Sequence, residues 1–565
     1  MTDMSTNPVA EATATLQDDP VAASFHRGLE QIAHALSDNL DHPEVWEVLK
    51  AVAEQDDVPA LLRLIRDLRP HQYDLQLIKS LDVVAAVVVG LGIDRLTGLD
   101  MLTDLGAEYP LCPQMAGAHF FVSHAYDETR SPDLSDRFCD APFIKFETLI
   151  DGTVAPCCAV WTQKRLGQLD TQTAEEIWNS ASAQEMRESI LDGSFRYCNK
   201  RQCTPIAEGT LPKRDEITDP RLRRIIDNNE TRVETPPRWL FLSHDASCNL
   251  ACPSCREGIV GADEAQQNRF SKIERTVLQP LLNGEEEVSI SLSGQGDPWS
   301  SPHYRSILRY MADHDLNAKL SIHTNAMLMT EARWNQYSGL AKYRPVVNVS
   351  IDSCTPWVYE VLRRPGKWDR LEPNLAFLGR GRAEGIFGGF TINATVQLDN
   401  FHEMPALVDY ARHIGADSVL LYMMQNTGDH IAPWFASKNV GNSAHPLHLA
   451  FLETLRDPRL GLPHANLYDV AALRRRAMET RLPTDALGPD YSLDDLVAAI
   501  RIAGQDGALD RVVALCAGGR IRFPNDATLL RTEAKAIEAL GYPQVAGYRL
   551  REAERLESRE LACAA

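Results

Sequence analysis

Between Trp239 and Met424 short apolar runs alternate with longer amphipathic stretches. The runs WLFLS (239–243), VSISLS (288–293), LSIHT (320–324), VVNVSID (346–352), FTINATVQ (390–397) and SVLLYMM (418–424) read as strands, rich in β-branched and aromatic residues. KIERTVLQPLL, YRSILRYMADH, EARWNQYSGLA, RLEPNLAFLGRGRAEG and MPALVDYARHIG repeat at helical spacing between them. Strands that each lead into a helix predict parallel right-handed crossovers and an α/β fold, an open or partial barrel over 236–426. Ligands of such sheets sit at the carboxyl ends of the strands.

Both flanks follow the helical period instead. A polar, acidic tail over 1–18 is expected to be disordered; Asp19-Pro20 then supplies an N-cap and first helical position. Phe25, Leu29, Ile32 and Leu36 recur at helical spacing, and VWEVLKAVAEQ, VPALLRLIRDL and the Val83 segment continue the pattern, so 19–130 is expected to be a helical domain. Residues 430–565 return to helical hairpins with small and large apolar residues, which resemble tetratricopeptide-type repeats. The segment 131–215 differs from both. There FIKFETLI and TVAPCCAVW flank Asp151-Gly152, a turn dipeptide, and predict a hairpin in a small cysteine-rich α+β module.

Charge and length narrow the partners. The 565 residues carry a formal net charge of -21, which argues against wrapping nucleic acid or lying on anionic lipid. The most apolar run, Val83 to Ile93, is flanked by Asp82 and Asp94 and is too short to cross a bilayer, so it predicts a buried helix. The N-terminus has neither a basic n-region nor an apolar h-region, so a cytoplasmic location is expected, with no membrane partner. In that reducing compartment the 12 cysteines read as metal ligands or buried apolar residues rather than disulfides.

Three of those cysteines stand together. Cys248, Cys252 and Cys255, in CNLACPSC directly after the first strand, have C-x3-C-x2-C spacing. Three thiolates on one loop can hold three irons of a four-iron cluster and leave the fourth open to a ligand. Zinc is the alternative; it requires a fourth protein ligand, which His244 can supply.

SGQGDPWSSP follows the second strand, HTNA (323–326) the third, and SIDSCTPWVYEVLRRPGKWDRLEPNL begins at the end of the fourth. With these motifs in order after the cysteine triplet, the segment resembles the core of a radical S-adenosylmethionine enzyme. The resemblance implies a partial (β/α)6 barrel, a 4Fe-4S cluster on Cys248, Cys252 and Cys255, and S-adenosylmethionine chelated to the open iron. It further implies cofactor contacts from Gly294, Gly296 and Asp297, where glycines admit the ligand and a carboxylate faces its ammonium, and from Thr324, Asn325, Ser350 and Asp352. The sequence departs from the family pattern at Asp297, where glutamate is commoner, and at Gln295 and Ala326, where glycine is. Ser254 stands where many relatives place an aromatic residue.

A second constellation lies upstream. Cys139, Cys157, Cys198 and Cys203, with Gly152 in the hairpin turn and LGQLD, AEEIWNS and MRESILDG between, resemble the SPASM or twitch auxiliary-cluster module. That resemblance implies an auxiliary 4Fe-4S cluster, although the module normally follows the barrel and here precedes it. A zinc ribbon on the same thiolates is the alternative, and Cys158 beside Cys157 leaves the ligand choice open.

Cys354, just past the fourth strand, reads either as a hydrogen donor to a substrate radical or as a small buried apolar side chain. Gln397, Asn400 and Tyr422 occupy strand-end positions, while Cys112, Cys516 and Cys563 have no partner at metal spacing. The implied function is reductive cleavage of S-adenosylmethionine to a 5′-deoxyadenosyl radical that abstracts a substrate hydrogen, with a low-potential electron donor as partner. The auxiliary module and helical arms favour a peptide or protein substrate. A small metabolite such as a carbohydrate, oxidised or epimerised, and a non-catalytic iron-sulfur protein are the alternatives.

Overall fold

In the computed structural model the described residues are 82–87, 89, 101, 102, 105, 133–424 and 432–564, with positions 160, 163, 201, 202, 208 and 444 set aside. The expected tail, the helix over Phe25 to Leu36, the segments VWEVLKAVAEQ and VPALLRLIRDL, and Cys112 lie outside them. The chain divides into two compact units. One comprises Met1–Asp133, Asn199–Gly209 and Asn426–Phe435; the other comprises Leu134–Cys198, Thr210–Gln425 and Ala436–Ala565. Within the first unit the Val-rich run forms a helix over 82–87 that buries Val83, Val84, Ala86 and Val87, as its composition predicts.

The second unit is built on a ten-stranded sheet. Its strands are β1 Lys145–Thr148, β2 Thr153–Ala155, β3 Gly167–Gln168, β4 Trp239–Leu242, β5 Val288–Leu292, β6 Ala318–Thr324, β7 Val346–Ser350, β8 Gly389–Val396, β9 Ser418–Met423 and β10 Ala465–Asn466. Spatial order runs β10-β9-β8-β7-β6-β5-β4-β1-β2-β3. From β4 to β9 the strands match the expected runs to within two residues, parallel and joined by helices. Two parallel neighbours extend them: β10 beside β9, and β1 beside β4 with Lys145 opposite Trp239 and Glu147 opposite Phe241. The cysteine-rich hairpin is therefore continuous with the main sheet. β2 stops at Ala155, short of the expected run to 161, because Pro156 has no N–H for the ladder.

Alternation divides the sheet into two faces. Phe146, Leu240, Ile290, Ile322, Val349, Ile392 and Leu421 are buried in one core with helix residues such as Ile307, Leu308 and Leu375. Lys145, Phe241, Ser291, Ser321, His323, Asn348, Asn393 and Tyr422 share the opposite, polar face. There Trp239 Nε1 donates to Ser291 Oγ at 3.0 Å and Asn348 Nδ2 to Ser321 Oγ at 3.0 Å. Lys145 Nζ lies 2.7 Å from Glu147 Oε2.

Four C-terminal helices, Leu493–Gln505, Leu509–Arg522, Ala527–Ala539 and Pro543–Ala564, each pack on the next. Their apolar residues, among them Val513, Leu529 and Val545, belong to the same core as the sheet. No helix among the described residues is long and apolar enough to cross a membrane.

Candidate functional site

The cysteine loop begins where β4 ends, on a fully hydrogen-bonded base. Tyr304 Oη donates to Leu242 O at 3.1 Å and accepts from Asp245 N–H at 3.0 Å, while Asp245 Oδ1 accepts from Ser247 N–H at 2.8 Å. Cys248 and Cys252 are buried and Cys255 is exposed. The backbone of Cys248 donates to Val260 O at 2.8 Å, and Ala251 N–H donates to Arg364 O at 2.6 Å, so segments on both sides pin the loop.

Nitrogen donors surround each sulfur. Leu250 N–H and Asn325 Nδ2 approach Cys248 Sγ at 3.4 and 3.7 Å. Arg363 Nη1 lies 3.8 Å from Cys252 Sγ, and Arg256 Nε and Nη2 lie 3.4 and 3.3 Å from Cys255 Sγ. Burial pushes the Cys248 thiol up to about 11 and raises Cys252 as well, with Arg363 pulling the latter down. Such donors and cations offset the cost of a buried thiolate and are what sulfur ligands of an iron-sulfur cluster require, so the donor set fits that group. Among the described residues no three Cys, His, Asp or Glu side chains converge as ligands of a single ion do. A four-iron cluster instead takes its thiolates on separate irons.

His244 has no nitrogen left for a metal. Its Nδ1 shares a 2.7 Å hydrogen bond with Thr148 Oγ1 and its Nε2 a 2.9 Å bond with His303 Nε2. With both nitrogens engaged, the zinc alternative loses this fourth ligand; burial holds the ring well below its ordinary pKa and so neutral.

The expected cofactor residues fall into two hydrogen-bonded groups. In the first, Asp297 is fully buried; Oδ2 accepts from Thr324 Oγ1 at 2.7 Å and Asn325 N–H at 2.8 Å, and Oδ1 accepts from Trp299 N–H at 3.0 Å and Ser300 N–H at 3.3 Å. Here the carboxylate ties the glycine-rich loop to the turn after β6. Gly296 is needed for a related reason: a Cβ there would stand 2.6 Å from Asp245 O and 2.7 Å from Ser247 O, so the loop lies directly on the entry to the cysteines. Gly294 likewise sits against Ser243 and Phe241. Ala326 adopts a φ of 57°, the left-handed conformation that a glycine takes without strain.

In the second group Asp352, fully buried with a φ of 55°, accepts from Thr395 N–H at 2.8 Å through Oδ1 and pairs with Arg363 Nε at 2.6 Å through Oδ2. Asn400 Nδ2 donates to its backbone oxygen at 2.8 Å. Ser350 lies opposite Asn393 on the polar face, and Thr395 opposite Tyr422. Asn393 Oδ1 and Gln397 Nε2 are buried there with no hydrogen-bond partner, two groups suited to a bound ligand. Cys354 is placed elsewhere. Its charged neighbours are Glu403, Arg555 and Glu552, and burial keeps the thiol protonated.

Upstream, Gly152 makes the hairpin turn with a φ of 83°. Arg269, on the helix Glu264–Ile273 that follows the cysteine loop, grips the module: Nε and Nη2 lie 2.6 and 2.8 Å from the two Asp170 oxygens, and Nη2 donates to Asp151 O at 3.0 Å. Cys139 precedes the short helix Ala141–Ile144 that runs into β1, and Cys157 and Cys158 follow β2. Cys198 lies beyond the helix Ala181–Leu191, its N–H donating to Phe195 O at 2.9 Å. Cys203 belongs to the other compact unit, where its N–H donates to Asn199 O at 2.8 Å. Sequence reasoning missed Arg363, Arg256 and Arg269. Only Arg256, adjacent to Cys255, left a local signal.

Comparison with known proteins gives one family match: residues 139–204 fit the SPASM iron-sulfur cluster-binding domain. The match falls on the segment whose cysteines, ahead of the main sheet, resemble that module. No curated protein matches. Among solved structures, SuiB of Streptococcus suis is 18% identical over 37% of this chain and 44% of its own, with a TM-score of 0.27. SuiB bound to S-adenosylmethionine is 17% identical over 38% of this chain and 46% of its own, with a TM-score of 0.26. SuiB bound to its precursor peptide SuiA is 16% identical over 52% of this chain and 63% of its own, with a TM-score of 0.29. The chain spans less than two thirds of the length of that protein.

Proposed function

We propose that this chain is a radical S-adenosylmethionine enzyme that modifies a peptide or protein side chain. The observation carrying the reading is a cysteine triplet at the carboxyl end of a central parallel strand, with nitrogen donors over each sulfur, in a chain with a SPASM match at 139–204. In this reading β4 to β9 are the partial six-fold barrel, Cys248, Cys252 and Cys255 hold the catalytic 4Fe-4S cluster, and Cys139, Cys157, Cys198 and Cys203 hold the auxiliary one. When bound, the catalytic cluster supplies the electron that cleaves S-adenosylmethionine to a radical able to take hydrogen from an unactivated C–H bond.

The protein's own side chains have simpler tasks. Asp297, Thr324 and Asn325 hold the glycine-rich loop against the cysteine loop and so shape the cofactor site. Ser350 contacts the cofactor from the polar face, Asn393, Gln397 and Tyr422 there orient the substrate, and the surrounding core excludes water from the radical. A low-potential donor delivers the electron. A peptide substrate is supported by the auxiliary module, continuous with the barrel sheet through β1, and by the C-terminal helices. The small-metabolite epimerase reading drew on Cys354, and the position of that thiol beside Glu403 and Glu552 adds no support for it.

Iron and sulfide content after anaerobic reconstitution tests the reading. We expect about eight irons per chain, falling to about four when Cys248, Cys252 and Cys255 are all alanine. Four falling to none would remove the auxiliary cluster from the mechanism. No bound iron in the unmodified chain would overturn the reading.

A further inference from the structure

We propose that Arg363 is a positioning residue that sets the reduction potential of the cluster held by Cys252. The inference rests on the functional reading above and deepens it. Three independent contacts converge on this one side chain and its neighbour. Nη1 lies 3.8 Å from Cys252 Sγ, Nε lies 2.6 Å from Asp352 Oδ2, and the next residue's carbonyl, Arg364 O, accepts from Ala251 N–H at 2.6 Å. The end of the helix Pro356–Leu362 therefore meets the cysteine loop through both backbone and side chain.

The guanidinium cannot swing away. Its side chain is 12% exposed, and its carboxylate partner is fully buried. Asp352 is itself fixed by Thr395 N–H on Oδ1 and Asn400 Nδ2 on its carbonyl. Cys248 and Cys255 differ in this respect. Cys248 is approached by neutral amide donors, and Cys255 by Arg256, which sits beside an exposed sulfur. Cys252 thus has a buried sulfur facing a largely shielded, immobilised cation.

A fixed positive charge in a low-dielectric setting favours the more negative state of whatever it faces, and hydrogen bonds to sulfur act the same way on an iron-sulfur cluster. Adding one electron to the cluster increases its negative charge. Arg363, the nearer of the paired charges to the sulfur, therefore makes reduction easier, while Asp352 anchors it and offsets part of that effect.

The test compares the full reconstituted chain, unmodified and with Arg363→Met or Arg363→Lys, by iron content and by redox titration of the electron paramagnetic resonance signal that changes on adding S-adenosylmethionine. Arg363→Met is expected to lower the reduced-to-oxidised ratio at a fixed potential about tenfold, or about 59 mV for one electron. Arg363→Lys, which keeps the charge, is expected to recover most of that change. If Met does not give folded protein, Arg363→Gln takes its place, keeping a donor and losing the charge. Equal midpoints in all variants would overturn the proposal, and so would equal displacement by Lys and Met, which would make the effect one of packing. An unmodified chain with no signal responsive to S-adenosylmethionine would overturn the functional reading as well.

Discussion

The β4 cysteine loop and the upstream hairpin are tied to the sheet by different segments. Asn325, Arg363 and Arg256 reach the sulfurs of the β4 loop from the turn after β6, from beyond the helix after β7, and from the loop itself. The upstream hairpin joins the sheet through the β1–β4 ladder and is gripped by the fork of Arg269 on Asp170. Distant segments thus set the surroundings of the β4 sulfurs, while a ladder and a charged fork set where the hairpin lies on the sheet.

The largest effect on this comparison comes from removing the tuned ligands. Cys252→Ala should abolish 5′-deoxyadenosine formation under strong reductant, measured by chromatography, while about four irons remain per chain on the upstream cysteines. Product formation by that variant would show that the β4 loop is not the catalytic site. Loss of all iron would show that the two regions are not independent.

Next in size is the internal tie of the β4 site. Asp297→Asn replaces a buried carboxylate that accepts from four donors with an amide whose NH2 must face some of them. The expected cost is about 2–4 kcal/mol of stability, read from denaturant midpoints, together with weaker binding of S-adenosylmethionine. An unchanged midpoint would mean that the glycine-rich loop does not depend on this carboxylate.

The parallel core and its motif order were legible in the sequence because both follow local rules. Strands buried on one face and polar on the other, with helices between, leave a periodicity, and the cysteine triplet leaves a spacing. β10 and β3 were not legible, since two residues carry no period. Nor was the pairing of β1 with β4, which joins segments about ninety residues apart. The glycines were legible as glycines, but not what they approach. Gly296 was read as admitting a ligand, and the structure places it against the carbonyls of Asp245 and Ser247. Arg363 was invisible as a functional residue because its role depends on Asp352 and Cys252, both remote in sequence.

A smaller, pH-dependent effect probes whether β1 belongs to the polar face of the core strands. His323 is half-buried beside Phe241, and loss of hydration first, then the charge of Lys145 on β1, lowers its pKa to about 4. The unfolded chain protonates this ring near 6.5, so between those values the unfolded state holds the extra proton. Stability from this residue is complete above about pH 6.5 and falls on acidification by up to about 1.4 kcal/mol per pH unit. Comparing unfolding of the unmodified chain and His323→Asn at pH 7.5 and 5.5 should show a shallower loss in the variant. Lys145→Met should raise the His323 pKa, followed by nuclear magnetic resonance; no change would separate β1 from that face.

The smallest effect concerns the grip on the upstream module. Arg269 and Asp170 are 26% and 38% exposed at their side chains, so solvent screening keeps their coupling near 1 kcal/mol even with two parallel bonds. A double-mutant cycle with Arg269→Ala and Asp170→Ala, read from denaturant midpoints, should return about that value. Gly152→Ala supplies the control. Its Cβ would stand 1.8 Å from Arg269 Nη2, and its φ of 83° is strained for any side chain, so it should cost about 1–2 kcal/mol. Part of that cost is a clash with Arg269 and with Gln168 Oε1, 2.5 Å away, and part is backbone strain, and only the Arg269 share should vanish in the Arg269→Ala background. If the whole cost persists there, Arg269 does not press on the turn.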